Sequence, residues 1–374
     1  MLMKITNFQP LKQSYLLLVF SLLLISSNCY SQLSTALKEN HNIGKLKFTS
    51  PVRVIFKDSK DNYWFGSDKE GVGLYDGKSF RYFTVKDGLS DNQIRSIQED
   101  SNGNIWLGTT NGVSSYSHES THLGMINGVS SYDSKKIITH TSPSFIKAHE
   151  SSQNAWTKSD TDLWFSAGNN AGVYRYDGKI LSYLAYPKAK TINHDNVYHT
   201  TGFAKGQNRM LWMATYAGIF GYNDNYFTII NDESLKLTKE TGKLHIRSIL
   251  EDSKGNLWIG NNGIGVLLFN GDTTINFSEK MGLVSANSQR NGSSSPAGSL
   301  EHIFVITEDS HGNIWFGDRD TGTWKYDGEK IRNYSINDER PTTIYQDSNG
   351  DLLFGTAKGS IYNFKGGFFE RKYW

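Results

Sequence analysis

The chain is short of cysteine, of proline and of net charge, and each shortage removes a class of function. Its one cysteine among 374 residues, Cys29, lies in an N-terminal segment that reads as a targeting signal. The mature chain then has no disulfide framework, no thiolate metal site and no cysteine nucleophile. Removing Lys4 and Lys12 with that segment leaves 37 basic residues against 37 acidic ones, and a neutral protein has no bulk electrostatic footprint for nucleic acid or an anionic membrane. After residue 32 no apolar run approaches the ~20 residues that span a bilayer. No GxGxxG opens a helix, and neither a GxSxG elbow nor a Walker loop occurs. No cofactor is expected.

Residues 1–31 carry a positive n-region and an apolar stretch, YLLLVFSLLLI (15–25), of signal-peptide length. Cys29 and Ser31 stand at −3 and −1 of a cut before Gln32, which predicts a periplasmic or secreted protein. The alternative is a lipoprotein acylated on Cys29, which Ser26 and Asn28 fit poorly. Residues 32–50 form a lead-in, within which KLKFT (45–49) is a candidate closing strand, and 51–374 form the body.

What is abundant is aromatic residues, 13% of the chain, and glycine, 36 residues against six prolines. Six of nine tryptophans share one slot of a repeat of roughly forty to fifty residues: Trp64, Trp106, Trp164, Trp212, Trp258 and Trp315. Leu353 fills it in a seventh unit. Six residues earlier stand Asp58, Asp100, Asp252, Asp309 and Asp347, with Lys158 and Gly206 in the two deviating units. An aromatic follows each slot by ten to twelve residues: Tyr75, Tyr116, Tyr176, Tyr222, Phe269, Tyr326 and Phe364. Each unit reads as four short alternating strands separated by turn clusters. Asp-Gly at 76–77, 177–178 and 327–328 and Asn-Gly at 270–271 suit type I′ hairpins. The Asp-Ser-x-Gly-Asn turns let aspartate bond the following amides while glycine takes the left-handed position. One four-stranded meander cannot bury both faces, so the prediction is an all-β protein, a seven-bladed β-propeller of four-stranded antiparallel blades. The final GGFFERKYW should supply the last outer strand, and 284–299 a mobile Ser/Gly-rich loop.

The unit I-x-E-D-S-x-G-N-I-W-x-G-T-x-x-G-V-x-x-Y-D-G, best carried at 96–116, 248–271 and 306–328, resembles the two-component regulator propeller repeat. That resemblance implies a sensor propeller of the kind found in the periplasmic part of bacterial hybrid histidine kinases, where glycan fragments are often sensed. No immunoglobulin-like linker, membrane helix, kinase or receiver follows in this sequence. What the resemblance carries over is therefore a fold and a binding role rather than a signalling output.

Chemistry is sparse. His118-Glu119-Ser120-Thr121-His122 is a formal HExxH, but a Ser/Thr-rich hairpin would not put both histidines on one helical face. The Asp-Ser-x-Gly-Asn turns resemble a calcium loop start yet lack a later bidentate glutamate, so they read as structural turns. No metal site is expected. His194 and His199 flank Asp195, Asn196 and Tyr198 in a polar loop that is either solvated or able to grip a sugar. Loops between second and third strands and between blades emerge at one end of the ring, the default ligand face. The first set places Lys69, Glu70, Asn111, Asn170, Tyr216, Asn262, Arg319, Asp320 and Lys358 there. The second adds Asp91, Asn92, His194, Tyr198, Arg290 and His302. Arg319 offers a fork for a carboxylate or sulfate, and Tyr216 a stacking face. The favoured reading is a non-catalytic ligand-binding or sensor-like propeller taking a glycan or other small ligand. The alternatives are a scaffold for an envelope protein partner, or a metal-dependent lyase like the seven-bladed streptogramin lyases, whose histidine arrangement has no counterpart here.

Overall fold

The computed structural model describes residues 45–116, 137–139, 147–149, 156–168, 170–187, 198–224, 226–337 and 339–373. These hold 28 strands, β1 to β28 in chain order, in seven four-stranded sheets. The chain is a seven-bladed β-propeller. Six blades open on the strand that faces the central channel: β1 (Val52–Lys57), β5 (Ile94–Glu99), β13 (Thr200–Lys205), β17 (Ile246–Glu251), β21 (Ile303–Glu308) and β25 (Pro341–Gln346). The tryptophan strand follows, and pairing along each of these blades is antiparallel. The last outer strand is β28 (Phe368–Arg371), within the terminal segment the sequence assigns to it.

The tryptophans explain why the blades stack. Each is at most 8% exposed, and each reaches forward to the next blade. Trp258 meets Phe316 and Tyr326 of blade six with ring centroids 5.7 and 6.2 Å apart, and Trp315 meets Phe354 and Phe364 of blade seven at 5.5 and 4.8 Å. Leu353 does the same with Ile55, Phe65 and Phe80 of blade one.

The aspartate six residues upstream sets the ring's orientation. Asp58, Asp100, Asp252 and Asp309 each accept the indole Nε1–H of their own tryptophan at 2.8 Å. The other oxygen of each takes turn amides, as Asp100 does from Asn102 and Asn104, both at 2.9 Å. A carboxylate so fully engaged has no oxygens to give calcium. The glutamate before it clasps the previous blade: Glu99 accepts from the Ser59 amide at 2.8 Å and Glu308 from the Ser253 amide at 2.7 Å.

The units that break the motif make other bonds. With Gly206 in the aspartate slot, Trp212 donates to Glu251 of blade five, and a Cβ at Gly206 would lie 2.1 Å from that carboxylate. In blade three Lys158 pairs instead with Asp224 at 2.9 Å. In blade seven Leu353 offers no indole, and Asp347 accepts the hydroxyl of Tyr63 from blade one, closing the ring. Burial and that carboxylate push the Tyr63 phenol well above its usual range.

Four expectations change. In the four Asp-Gly and Asn-Gly turns only the glycine takes positive φ (Gly77 86°, Gly178 90°, Gly271 98°, Gly328 97°), so they are not type I′. The preceding Asp or Asn side chain instead accepts the amides two and three residues on, as Asp76 does from Lys78 (3.0 Å) and Ser79 (2.8 Å). Residues 45–50 form no strand; they lie as a strap over blades one and seven, held through Glu70 and by Phe48 packing in that seam. Blade three pairs β10 (Leu163–Ser166), β11 (Gly172–Tyr176) and β12 (Leu181–Ala185), and its fourth strand, β9 (Lys147–His149), lies parallel outside β12. Its tryptophan strand is therefore innermost, and the amide side chain of Gln98 caps it by donating to Trp164 O at 2.7 Å. Finally, the 284–299 loop is tied down: Asp320 accepts the Ser295 amide at 3.0 Å, and Arg319 donates to Gly292 O and Ser293 O.

Replacing Trp258 by alanine should cost about 3–5 kcal/mol, because it empties a slot filled from two blades. A denaturation midpoint measures this; a negligible shift would contradict the packing account.

Candidate functional site

Each of the six channel-facing strands carries a bulge at the same register point, one residue after its start. A bulge places an extra residue on one strand and re-aims its side chain. The residues at these points are Arg53, Arg95, Thr201, Arg247, Phe304 and Thr342, and all six line one cavity of about 150 Å³. Ser96, Ser166, His199 and Tyr216 complete much of the remaining wall.

Tyr216, on the loop between β14 (Leu211–Thr215) and β15 (Gly218–Tyr222), is the centre of an aromatic and cationic cluster. His199 stacks on it with centroids 5.8 Å apart, and His245 meets it edge-on at 4.9 Å. The Arg247 guanidinium lies 4.9 Å from the Tyr216 ring centroid and 5.1 Å from that of Phe304, and donates to the Tyr216 hydroxyl at 3.2 Å. Cation–π contacts of this kind hold a guanidinium without neutralising it. Enclosure by protein, and then the neighbouring Arg53, lower the pKa of Arg95, although its side chain opens on the channel. Burial likewise lowers Arg247. His199 falls below the usual imidazole range through burial and then the charges of Arg95 and Arg247, against the opposing bond to Gly168 O; His245 falls through burial and Arg247.

Three buried polar atoms around this cavity have no hydrogen-bond partner among the described residues: Ser96 Oγ, Thr201 Oγ1 and Arg247 Nε. Such orphans carry a cost of order 1–3 kcal/mol each unless something fills them.

The residues expected at the ligand face fare differently. Tyr216 joins the cavity, and Lys69, Asn111, Asn170 and Lys358 are exposed. Asn111 donates to Asp91 at 2.6 Å, and Asn92 accepts the Val85 amide at 2.9 Å. Glu70 is taken up by the strap, accepting from the backbone and hydroxyls of Thr49 and Ser50. The Arg319 fork is closed on Asp320 at 2.9 and 2.8 Å, and Asn262 accepts from it at 3.4 Å and bonds His302 Nδ1 at 2.9 Å. Arg290 pairs with Glu279, and Tyr198 is buried against Phe220. His194 and the 118–122 segment lie outside the described residues. Among the described residues no cluster of three metal-ligating side chains occurs. The channel arginines were not among the sequence candidates, though a signal existed: Arg53, Arg95 and Arg247 each stand five residues before the repeat's aspartate.

Residues 88–111 and 242–263 match the model of the two component regulator propeller family, on two of the repeats that carry the sequence resemblance. No curated protein matches the chain in sequence. Among solved structures, it is similar to the extracellular domain of the putative one component system BT4673 from B. thetaiotaomicron, at 19% identity and a TM-score of 0.57. That likeness covers 87% of this chain and 40% of that one. The extracellular domain of the putative hybrid two component system BT3049 from the same organism gives 18% identity, 86% and 40% coverage and a TM-score of 0.57. The chain thus spans about two fifths of the length of these sensor-system domains. Virginiamycin B lyase from Staphylococcus aureus, at 13% identity, covers 86% of this chain and 98% of its own, with a TM-score of 0.57. At these identities the likeness is one of fold. Among the described residues no helix is long and apolar enough to cross a membrane.

The lowered histidines make the rim sensitive to acid. A group whose pKa is depressed on folding contributes fully above its unfolded value and loses that contribution as pH falls through the folded value. Stability should therefore decline below about pH 6.5, and the decline should be smaller in a His199→Gln/His245→Gln variant. Thermal midpoints between pH 8 and 5 measure this; identical slopes in the two proteins would contradict it.

Proposed function

We propose that the chain is an exported, non-catalytic binding propeller of the sensor type, which holds a small ligand, a glycan foremost, at the mouth of its channel. The observation that carries this reading is the channel cavity that the six bulge positions wall in beside the stacked Tyr216 and His199. Aromatic faces and unused hydrogen-bonding atoms are the two kinds of group that grip a sugar or a similar polar ring. The cavity is smaller than the roughly 300–1,000 Å³ of pockets that engulf a ligand, so the ligand enters by one end and rests the remainder on the rim. The matched repeat supports a sensor role, and the apolar segment at 15–25 supports export.

A glycan array followed by thermal-shift titration of the mature chain should find a ligand that raises the melting temperature. The variant Thr201→Phe, which repeats in blade four the side chain that blade six carries at the same register as Phe304, should abolish that shift by filling the channel. A ligand bound equally well by the filled variant would contradict the placement of the site.

A further inference from the structure

We infer that the group seated in the channel is an oxoanion, a carboxylate or a sulfate borne by the ligand. The inference rests on the binding reading above and assigns the chemistry of its deepest contact. Three of the six bulge positions are arginine, and among the described residues lining the cavity none is acidic. Of the three, only Arg53 bonds a carboxylate, donating through Nε to Asp68 at 2.9 Å, and Arg95 feels the Asp68 charge without bonding it. Arg95 spends its fork on neutral acceptors, Gln93 Oε1 at 2.9 Å and Thr110 Oγ1 at 3.3 Å. Arg247 gives one Nη to the Tyr216 hydroxyl, and its Nε has no partner among the described residues.

Two guanidiniums that bond no carboxylate, enclosed in a narrow channel with the charge of Arg53 beside both, form an unfavourable arrangement in the free protein. An anion between them relieves the repulsion and takes charge-assisted bonds at the same time. Planar guanidinium forks suit a carboxylate or a tetrahedral oxoanion better than a single hydroxyl. Structural ion pairing does not account for the arrangement, because a purely structural arginine would have its carboxylate, as Arg53 and Arg319 do.

The experiment is calorimetric titration of the mature chain with sodium sulfate, glucuronate and glucose at constant ionic strength. Sulfate or glucuronate should bind and glucose should bind far more weakly; comparing the first two separates a sulfate-bearing from a carboxylate-bearing ligand. Arg247→Gln and Arg95→Gln should each weaken anion binding roughly tenfold or more. Melting curves check the fold of each, and Arg95→Gln, whose side chain opens on the channel, keeps the test valid if Arg247→Gln unfolds. Binding of a neutral sugar that the filled Thr201→Phe variant blocks, but that neither glutamine variant weakens, would overturn the anion assignment and leave the channel site standing. If sulfate, glucuronate and the array all fail to yield a channel ligand, both fall.

Discussion

The bond from an aspartate to the indole of a tryptophan six residues later is the constraint from which the ring follows. Its carboxylate shapes the turn between the first two strands and fixes the indole that fills the seam to the next blade. One residue type thus couples local turn geometry to the packing between blades. A buried carboxylate is costly unless bonded, and where the repeat fails in blades four and seven other groups make the bond. Glu251 reaches Trp212 over a glycine, and Tyr63 reaches Asp347 across the closing seam. The ring closes between blades seven and one through the packing of Leu353, polar bonds and a strap, and the two blades remain separate sheets.

Most of this was legible in the sequence because repetition averages out ambiguity. Seven slots, five aspartates and a set of trailing aromatics have one common physical reading, forward-packed blades. What was not legible lay where one unit departs from the others. Nothing in KLKFT distinguishes a strand from a strap, since its partner is a glutamate on a loop 21 residues away. The Asp-Gly turns were misassigned because that pair serves both a type I′ hairpin and an aspartate-closed loop, and the choice depends on loop length. The parallel outer strand of blade three depends on a segment preceding the blade, which the repeat pattern cannot allocate.

The binding face was legible as a place and not as a chemistry. Loop topology pointed to Tyr216, but it also nominated Arg319 and Glu70, whose charges are satisfied by their own neighbours. The arginines that matter stand inside the repeat, in I-R-S and V-R-V strands that read as ordinary inner strands. Only the bulge, a backbone feature common to six strands, turns those side chains into the channel. The scaffold therefore does more than display loops: the same repeat register that orders the packing also lines the channel, and substitution at one position per blade sets its charge.

The most direct test of a channel built to take an oxoanion is the anomalous scattering of selenate in crystals of the mature chain. The account predicts a selenium peak in the central cavity within hydrogen-bonding reach of Arg95 and Arg247. A channel without selenate, in crystals that bind it elsewhere on the surface, would contradict it.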